Sequence, residues 1–318
     1  DAIFVSPHKM IGGPGTPGLL VARKELFTNR VPSVPGGGTV SFVNSAEHHY
    51  MSDTEHREEG GTPNIVGAIR CGMVFALKEA VGTETIREKE GSFINRAIEA
   101  WSANPNIKIL GNPEADRLSI VSFVIRHGER RLHHNFVVAL LNDLFGIQSR
   151  GGCSCAGPYG HRLLGIDIET SREYEREIAR GCEVIRPGWV RVNFNYFISE
   201  ETFAFLLEAV NLIAEHGWRL VPRYTFDPKT AFWHYAGCDP KAALGLDDLS
   251  FTPAGLVHPN PRQSAPESAL ASYLAEARTI LTEAESGDAI TSIPMSDDFE
   301  KLRWFPLPEE LQEELLGA

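Results

Sequence analysis

The stretch Asp1-Ala-Ile-Phe-Val-Ser-Pro-His-Lys-Met-Ile-Gly-Gly-Pro-Gly-Thr-Pro-Gly18 decides how the rest of the chain is read. Ala2 to Val5 is an apolar, β-branched and aromatic run, the composition of a buried strand. It delivers Ser6, His8 and Lys9 to a loop that turns glycine-rich from Gly12 to Gly18. That arrangement suits a lysine that forms a Schiff base, because an amine reacts readily once its pKa is depressed. Ser6 and His8 supply short, directional donors beside it. Taken alone, the same residues also read as an ordinary strand and a Gly/Pro turn. Three later segments carry the decision.

The first is Arg57-Glu58-Glu59-Gly60-Gly61-Thr62-Pro63-Asn64, a glycine turn that presents a hydroxyl at a helix N-terminus. Free backbone N–H groups and the helix dipole favour a phosphate there, although a plain N-cap threonine has the same pattern. The second is Arg150 to Gly160, with Cys153 and Cys155 inside a glycine-rich loop. Three readings stay open for it. A cysteine of the loop is a thiolate nucleophile, which needs a neighbouring cation to lower its pKa; or both cysteines are small apolar residues in a tight turn; or they join His161 around a metal. The metal reading lacks a fourth ligand and departs from Cys-x₂-Cys spacing, so no metal site is expected. The third is Val190-Arg-Val-Asn-Phe-Asn-Tyr-Phe197. An arginine in a buried-looking strand is costly unless it meets an anion. Its planar fork matches a carboxylate, either a substrate's or a protein side chain's.

In this order the four segments resemble the class V aminotransferase and cysteine desulfurase superfamily of pyridoxal-phosphate (PLP) enzymes. The resemblance covers roughly Asp1 to Arg219. It implies that Lys9 is the internal aldimine lysine, that Ser6 and His8 contact the cofactor phosphate, and that Thr62 touches the phosphate of the neighbouring subunit. It lays Cys155 on the position of the desulfurases' persulfide-forming cysteine, and Arg150 and Arg191 on the binding of the substrate α-carboxylate. The fold implied is the α/β PLP-dependent transferase fold, working as a homodimer with its active site at the subunit interface. In that family the large domain begins well before the lysine, and the upstream part supplies the ring-stacking group and the partner of the pyridine nitrogen. The chain is therefore expected to be a C-terminal portion, to expose the faces of its first two strands and to bind PLP poorly by itself. The stretch His161 to Pro187 is longer than in the group II desulfurases, which leaves the reaction open between desulfuration and other amino-acid chemistry. A non-catalytic interaction module is the alternative of another class.

Periodicity predicts the elements. Strands are expected at Leu19–Ala22, Ile107–Leu110, Leu118–Ile125 and Trp189–Phe197. Helices are expected from Pro63, from Thr83 to about Ala103, over His133–Phe145 up to Gly146, near Ser171–Glu183, and after an N-cap at Ser199. Val31 to Glu59 reads as irregular. The paired His48-His49 and His133-His134 read as surface, capping or packing residues. Three parts follow: residues 1–82, the remainder of a large-domain sheet; 83–219, a small α+β domain; and 220–318, an acidic helical and Pro-rich extension. In the extension a stripe of Leu270, Tyr273, Leu274, Ala277, Ile280 and Leu281 predicts a packed helix, with Ser264 and Glu267 as its capping box.

The chain has 318 residues with 42% hydrophobic and 23% charged residues, values ordinary for a globular protein. Its five cysteines are scattered and odd in number, which argues against a disulfide framework and for a reducing, cytoplasmic compartment. No run approaches the about 18 apolar residues of a membrane span. The net charge of −12 gives no basic face for nucleic acid. From Leu220 onward there are 7 Lys and Arg against 16 Asp and Glu, a net of −9 that leaves −3 for the first 219 residues. That asymmetry sets the extension apart from the expected catalytic body.

Overall fold

In the computed structural model, the described residues are 1–153, 157–238, 245–257, 264–284 and 295–317. They divide into two units, Asp1–Arg87 and Glu88–Ala318.

In the first unit, β1 (Ala2–Val5) and β2 (Leu19–Ala22) form an antiparallel hairpin with Ala2 opposite Ala22 and Val5 opposite Leu19. The expectation of exposed strand faces is met: Phe4 is 81% and Val21 60% exposed. The segment read as irregular holds a second antiparallel hairpin, β3 (Val40–Val43) with β4 (His48–Tyr50), and a short helix α1 (Thr54–Glu58). The turn between β3 and β4 is closed by Asn44, whose side-chain oxygen accepts from the Ala46 and Glu47 amides at 2.8 and 2.9 Å. A polar turn of this Asx type organises strands too short to show a period.

Helix α2 (Ile65–Val81) is capped by Asn64, whose Oδ1 accepts from Gly67 N–H. Its buried residues are Gly67, Cys71 and Val74. Ile65, Ile69 and Met73, which recur at helical spacing, are exposed instead. Small residues face the glycine loop because backbone must approach backbone there. A Cβ on Gly67 would sit 2.6 Å from the Gly15 carbonyl oxygen.

The long helix α3 (Thr83–Ser102) runs uninterrupted through Gly91. It is followed by β5 (Ile107–Ile109), β6 (Ile120–His127), β7 (Arg130–Arg131), α4 (His134–Phe145), β8 (Arg150–Gly152), α5 (Gly157–Leu164), α6 (Ile168–Ala179), β9 (Trp189–Asn193) and α7 (Glu200–His216). The strands form an antiparallel sheet in the order β5-β6-β9-β8, with β7 beside β6. One sheet face presents Val121, Phe123, Ile125, Val190 and Val192 to the main core with Trp101, Phe136 and Phe203. Trp101 packs on Phe123 and Phe194 at 5.2 and 5.8 Å, and its indole N–H donates to the Leu207 carbonyl. The opposite face carries a smaller cluster of Leu110, Val124 and Trp189, joined by Cys153, Leu163 and Leu164.

The extension does not stand apart from this body, as its charge suggested. It adds the hairpin β10 (Tyr224–Phe226) and β11 (Trp233–Tyr235), the hairpin β12 (Ser250–Thr252) and β13 (Gly255–Val257), and helices α8 (Leu270–Thr282), α9 (Asp297–Leu302) and α10 (Pro308–Leu316). Phe226, Trp233, Ala277, Leu281, Phe299, Phe305 and Leu311 share the main core with the sheet. Burying each large apolar side chain contributes about 1.5–3 kcal/mol, which outweighs the repulsion of screened surface carboxylates. In α8 the stripe divides: Leu270, Leu274, Ala277 and Leu281 pack, whereas Tyr273 and Ile280 stay exposed. Glu267 does not cap its own helix. Its carboxylate accepts from the Ser199 and Thr202 hydroxyls at 2.8 and 3.1 Å, at the start of α7.

Candidate functional site

The predicted residues fall into two groups, one in each unit. In the first unit, β1 ends at Val5 and Pro7 opens a single tight turn, Pro7–Lys9. Lys9 N–H donates to Ser6 O at 3.1 Å and Met10 N–H to Pro7 O at 2.9 Å. The glycine loop then folds back so closely that a Cβ on Gly13 would lie 2.0 Å from Pro7 O. Two side chains of the α2 N-terminus hold this loop: Asn64 Nδ2 donates to Gly15 O (3.1 Å), and Arg70 to Pro14 O (2.6 Å). Asn64 thereby ties the Gly-Thr-Pro-Asn segment to the loop that follows Lys9.

Thr62 itself is presented by a pair of glycines. Gly61 N–H donates to Gly37 O at 2.8 Å, Gly61 has φ of +88°, and a Cβ on Gly60 would meet Val34 O at 2.5 Å. Residues that sequence reasoning passed over lock the turn from the other side. Glu58 accepts from Asn29 (2.7 Å), the Ser33 amide (3.3 Å) and Arg57 Nε (3.3 Å). The Asn29 contact first, then the Ser33 and Arg57 contacts, hold the Glu58 carboxyl below the usual range. Only a polar anchor 29 residues away in sequence shows its role, and no spacing rule links the two.

Lys9 and His8 are exposed, and Ser6 is half-buried. Among the described residues, no hydrogen bond or ion pair engages the side chains of Ser6, His8, Lys9 or Thr62, nor joins them to one another. A hydroxyl, an imidazole and an amine thus remain unspent ahead of the glycine loop, and Thr62 carries an unspent hydroxyl after the Gly60-Gly61 turn. That donor set fits a phosphate and an aldehyde, the two reactive ends of PLP.

In the second unit, the loop expected at Arg150 is strand for three residues. Arg150 lies directly opposite Arg191, Gly151 opposite Val190 and Gly152 opposite Trp189. Arg191 in turn faces Ser122 on β6. Both arginines stand on the sheet face of the smaller cluster, Arg191 half-buried and Arg150 exposed. Among the described residues, neither guanidinium meets a carboxylate, so a protein acid does not explain Arg191. Like charges directly across a strand pair are destabilising, and an anion between two planar forks offsets that cost.

Cys155 lies outside the described residues. Cys153 is half-buried in the smaller cluster and within electrostatic reach of Arg186, which is held chiefly by Glu183. The paired histidines cap and pack. His133 Nδ1 accepts from Asn135 N–H at 3.1 Å, so its Nε2 carries the proton and donates to Val184 O at 3.0 Å. A separate cavity of about 920 Å³ lies between α4 and the β10–β11 hairpin. None of the predicted site residues lines it.

The sequence model of the aminotransferase class-V family matches residues 1–197. The chain belongs to the aminotransferase class-V family. All four motifs lie within the matched span, and the extension lies beyond it. The cysteine desulfurase of Cronobacter sakazakii is 30% identical over 158 residues, covering 50% of this chain and 37% of that protein. The cysteine desulfurase of Pectobacterium carotovorum is 30% identical over 192 residues, 58% of this chain and 45% of that protein. The apo structure of a cysteine desulfurase from Thermococcus onnurineus is similar with a TM-score of 0.54 at 28% identity, over 68% of this chain and 47% of that one. The chain thus spans less than half the length of these relatives and carries part of the PLP-dependent transferase fold. No helix among the described residues is long and apolar enough to cross a membrane.

Proposed function

We propose that this chain belongs to a PLP-dependent enzyme acting on an amino acid, with Lys9 as the cofactor-bearing lysine. The observation that carries this reading is the direct pairing of Arg150 with Arg191, two guanidiniums with no acid of their own beside a half-open sheet face. A carboxylate is the anion that an amino-acid enzyme must seat. PLP, when bound, supplies an aldehyde for an amine and a ring that withdraws electrons from the substrate α-carbon. Ser6, His8 and Thr62 would bind its phosphate, Thr62 from the neighbouring subunit of a homodimer. Lys9 Nζ would bear the cofactor through its aldehyde carbon and, once the substrate amine displaces it, would be the free base that moves the α-proton. Exposed Ile65, Val66, Ile69 and Met73 on α2 support a protein partner over that helix.

The finer reading is cysteine desulfuration, supported by the relatives' names and by the cysteine pair after Arg150. Cys155 Sγ takes the sulfur of a cysteine substrate as a persulfide, and alanine leaves. The test titrates the enzyme to which this chain belongs with PLP and follows the visible absorbance of the covalent lysine–cofactor bond. It then measures alanine formation from L-cysteine. Lys9→Ala is expected to abolish both signals. Cys155→Ala is expected to keep the absorbance and to lower alanine formation at least about 100-fold, the loss typical of a removed nucleophile. Unchanged absorbance in Lys9→Ala sinks the main reading, and unchanged alanine formation in Cys155→Ala sinks the finer one alone.

A further inference from the structure

The extension bonds the segment that leads into β9 and the helix α4 that packs on β8, the two strands that carry the arginine pair. Val184 and Ile185 lead into β9, and three bonds hold their backbone. Val184 N–H donates to Pro228 O at 3.0 Å, Val184 O accepts from His133 Nε2–H at 3.0 Å, and Ile185 O accepts the Trp304 indole N–H at 3.0 Å. The Trp304 ring also stacks on His133, with centroids 5.1 Å apart and planes 18° from parallel. Gly188, the residue before β9, is so tightly placed that a Cβ would lie 2.6 Å from Gly152 Cα, at the end of β8. On the β8 side, Asn135 Nδ2 donates to Ala231 O at 2.8 Å, and Asn135 Oδ1 lies 2.5 Å from where a Gly151 Cβ would stand. Pro228, Ala231 and Trp304 all lie beyond the matched residues 1–197.

We infer that the extension is a positioning element for the arginine pair, with Trp304 its principal residue. Pro228 and Trp304 set where β9 begins, and Ala231 sets Asn135 against β8. Together they fix the register that places Arg150 opposite Arg191, and with it the spacing of the two guanidiniums. The inference rests on reading that pair as a carboxylate clamp.

The test uses the full chain, acetate as the carboxylate probe and chloride as the control anion, with the arginine Nε–Hε signals followed by ¹⁵N NMR. Trp304→Phe keeps the ring and removes the donor to Ile185 O. Its acetate Kd is expected to rise about fivefold, the ratio for one net hydrogen bond, with chloride binding unchanged. Arg191→Ala is expected to remove acetate binding at Arg150. Wild-type acetate affinity in Trp304→Phe overturns the positioning role and leaves the carboxylate reading standing, even when that variant is less stable. No acetate-specific shift at either arginine of the parent overturns both. Where Trp304→Phe does not fold, Asn135→Leu, which removes the donor to Ala231 O on the β8 side, decides on the same readout.

Discussion

At the scale of single residues, burial and neighbours decide chemistry that residue type leaves open. His133 and His134 are adjacent, yet neither is a surface histidine. Burial, with the His134 charge as a smaller cause, pushes His133 well below the usual imidazole range, and burial pushes His134 down to about 4. Both rings are therefore neutral in the folded protein, whereas in the unfolded chain they titrate near about 6.5. Below that pH the unfolded chain takes up protons that the fold excludes. Stability is thus full above about 6.5 and is lost as pH falls toward about 4. Urea midpoints at pH 7.5 and 5.0 should differ, with the lower value at pH 5.0. His134→Gln should flatten the difference; an equally steep dependence in that variant refutes the assignment.

At the scale of elements, short polar anchors do what propensity does not. Asn64 caps α2 and, through its other amide atom, holds the glycine loop after Lys9. Asn64→Ala should cost about 1 kcal/mol of local stability. Hydrogen exchange of the Gly67 amide should quicken about fivefold, and unchanged protection there would sink the capping role. The α2, α3, α4 and α7 helices, and strands β1, β2, β6 and β9, were legible because each shows a period or a cap. The β3–β4 hairpin was not legible, because its strands are three and four residues long and its organiser is the Asn44 turn. The Glu267 capping box failed for a related reason. A carboxylate bonds whichever donors tertiary packing brings near, and here those are Ser199 and Thr202.

At the scale of the whole molecule, the extension belongs to the core of the second unit. Phe305 is fully buried, within 4.8 Å of His133 between ring centroids and 5.2 Å of Trp304. Phe305→Ala should destabilise that unit by about 3–5 kcal/mol, read as a lowered urea midpoint by circular dichroism. A loss below about 1 kcal/mol would place the extension outside the cooperative fold. Charge composition misread this region because net charge counts solvated side chains, while membership of a core is decided by apolar ones.

By itself the sequence determined the family, the order of the four motifs and the residues at each: Ser6, His8 and Lys9, then Thr62, Arg150 and Arg191. It did so because each motif is local, held in a few residue types at short spacing beside glycines that leave backbone room. Only the tertiary structure decided that Arg150 and Arg191 are direct cross-strand partners, that Asn64 binds the Thr62 segment to the Lys9 loop, and that Trp304 bonds Ile185 in the turn before β9. These depend on strand register and on contacts between residues 41 to 119 positions apart. Such long-range pairings are chosen by the packing of the whole core, which no local period encodes.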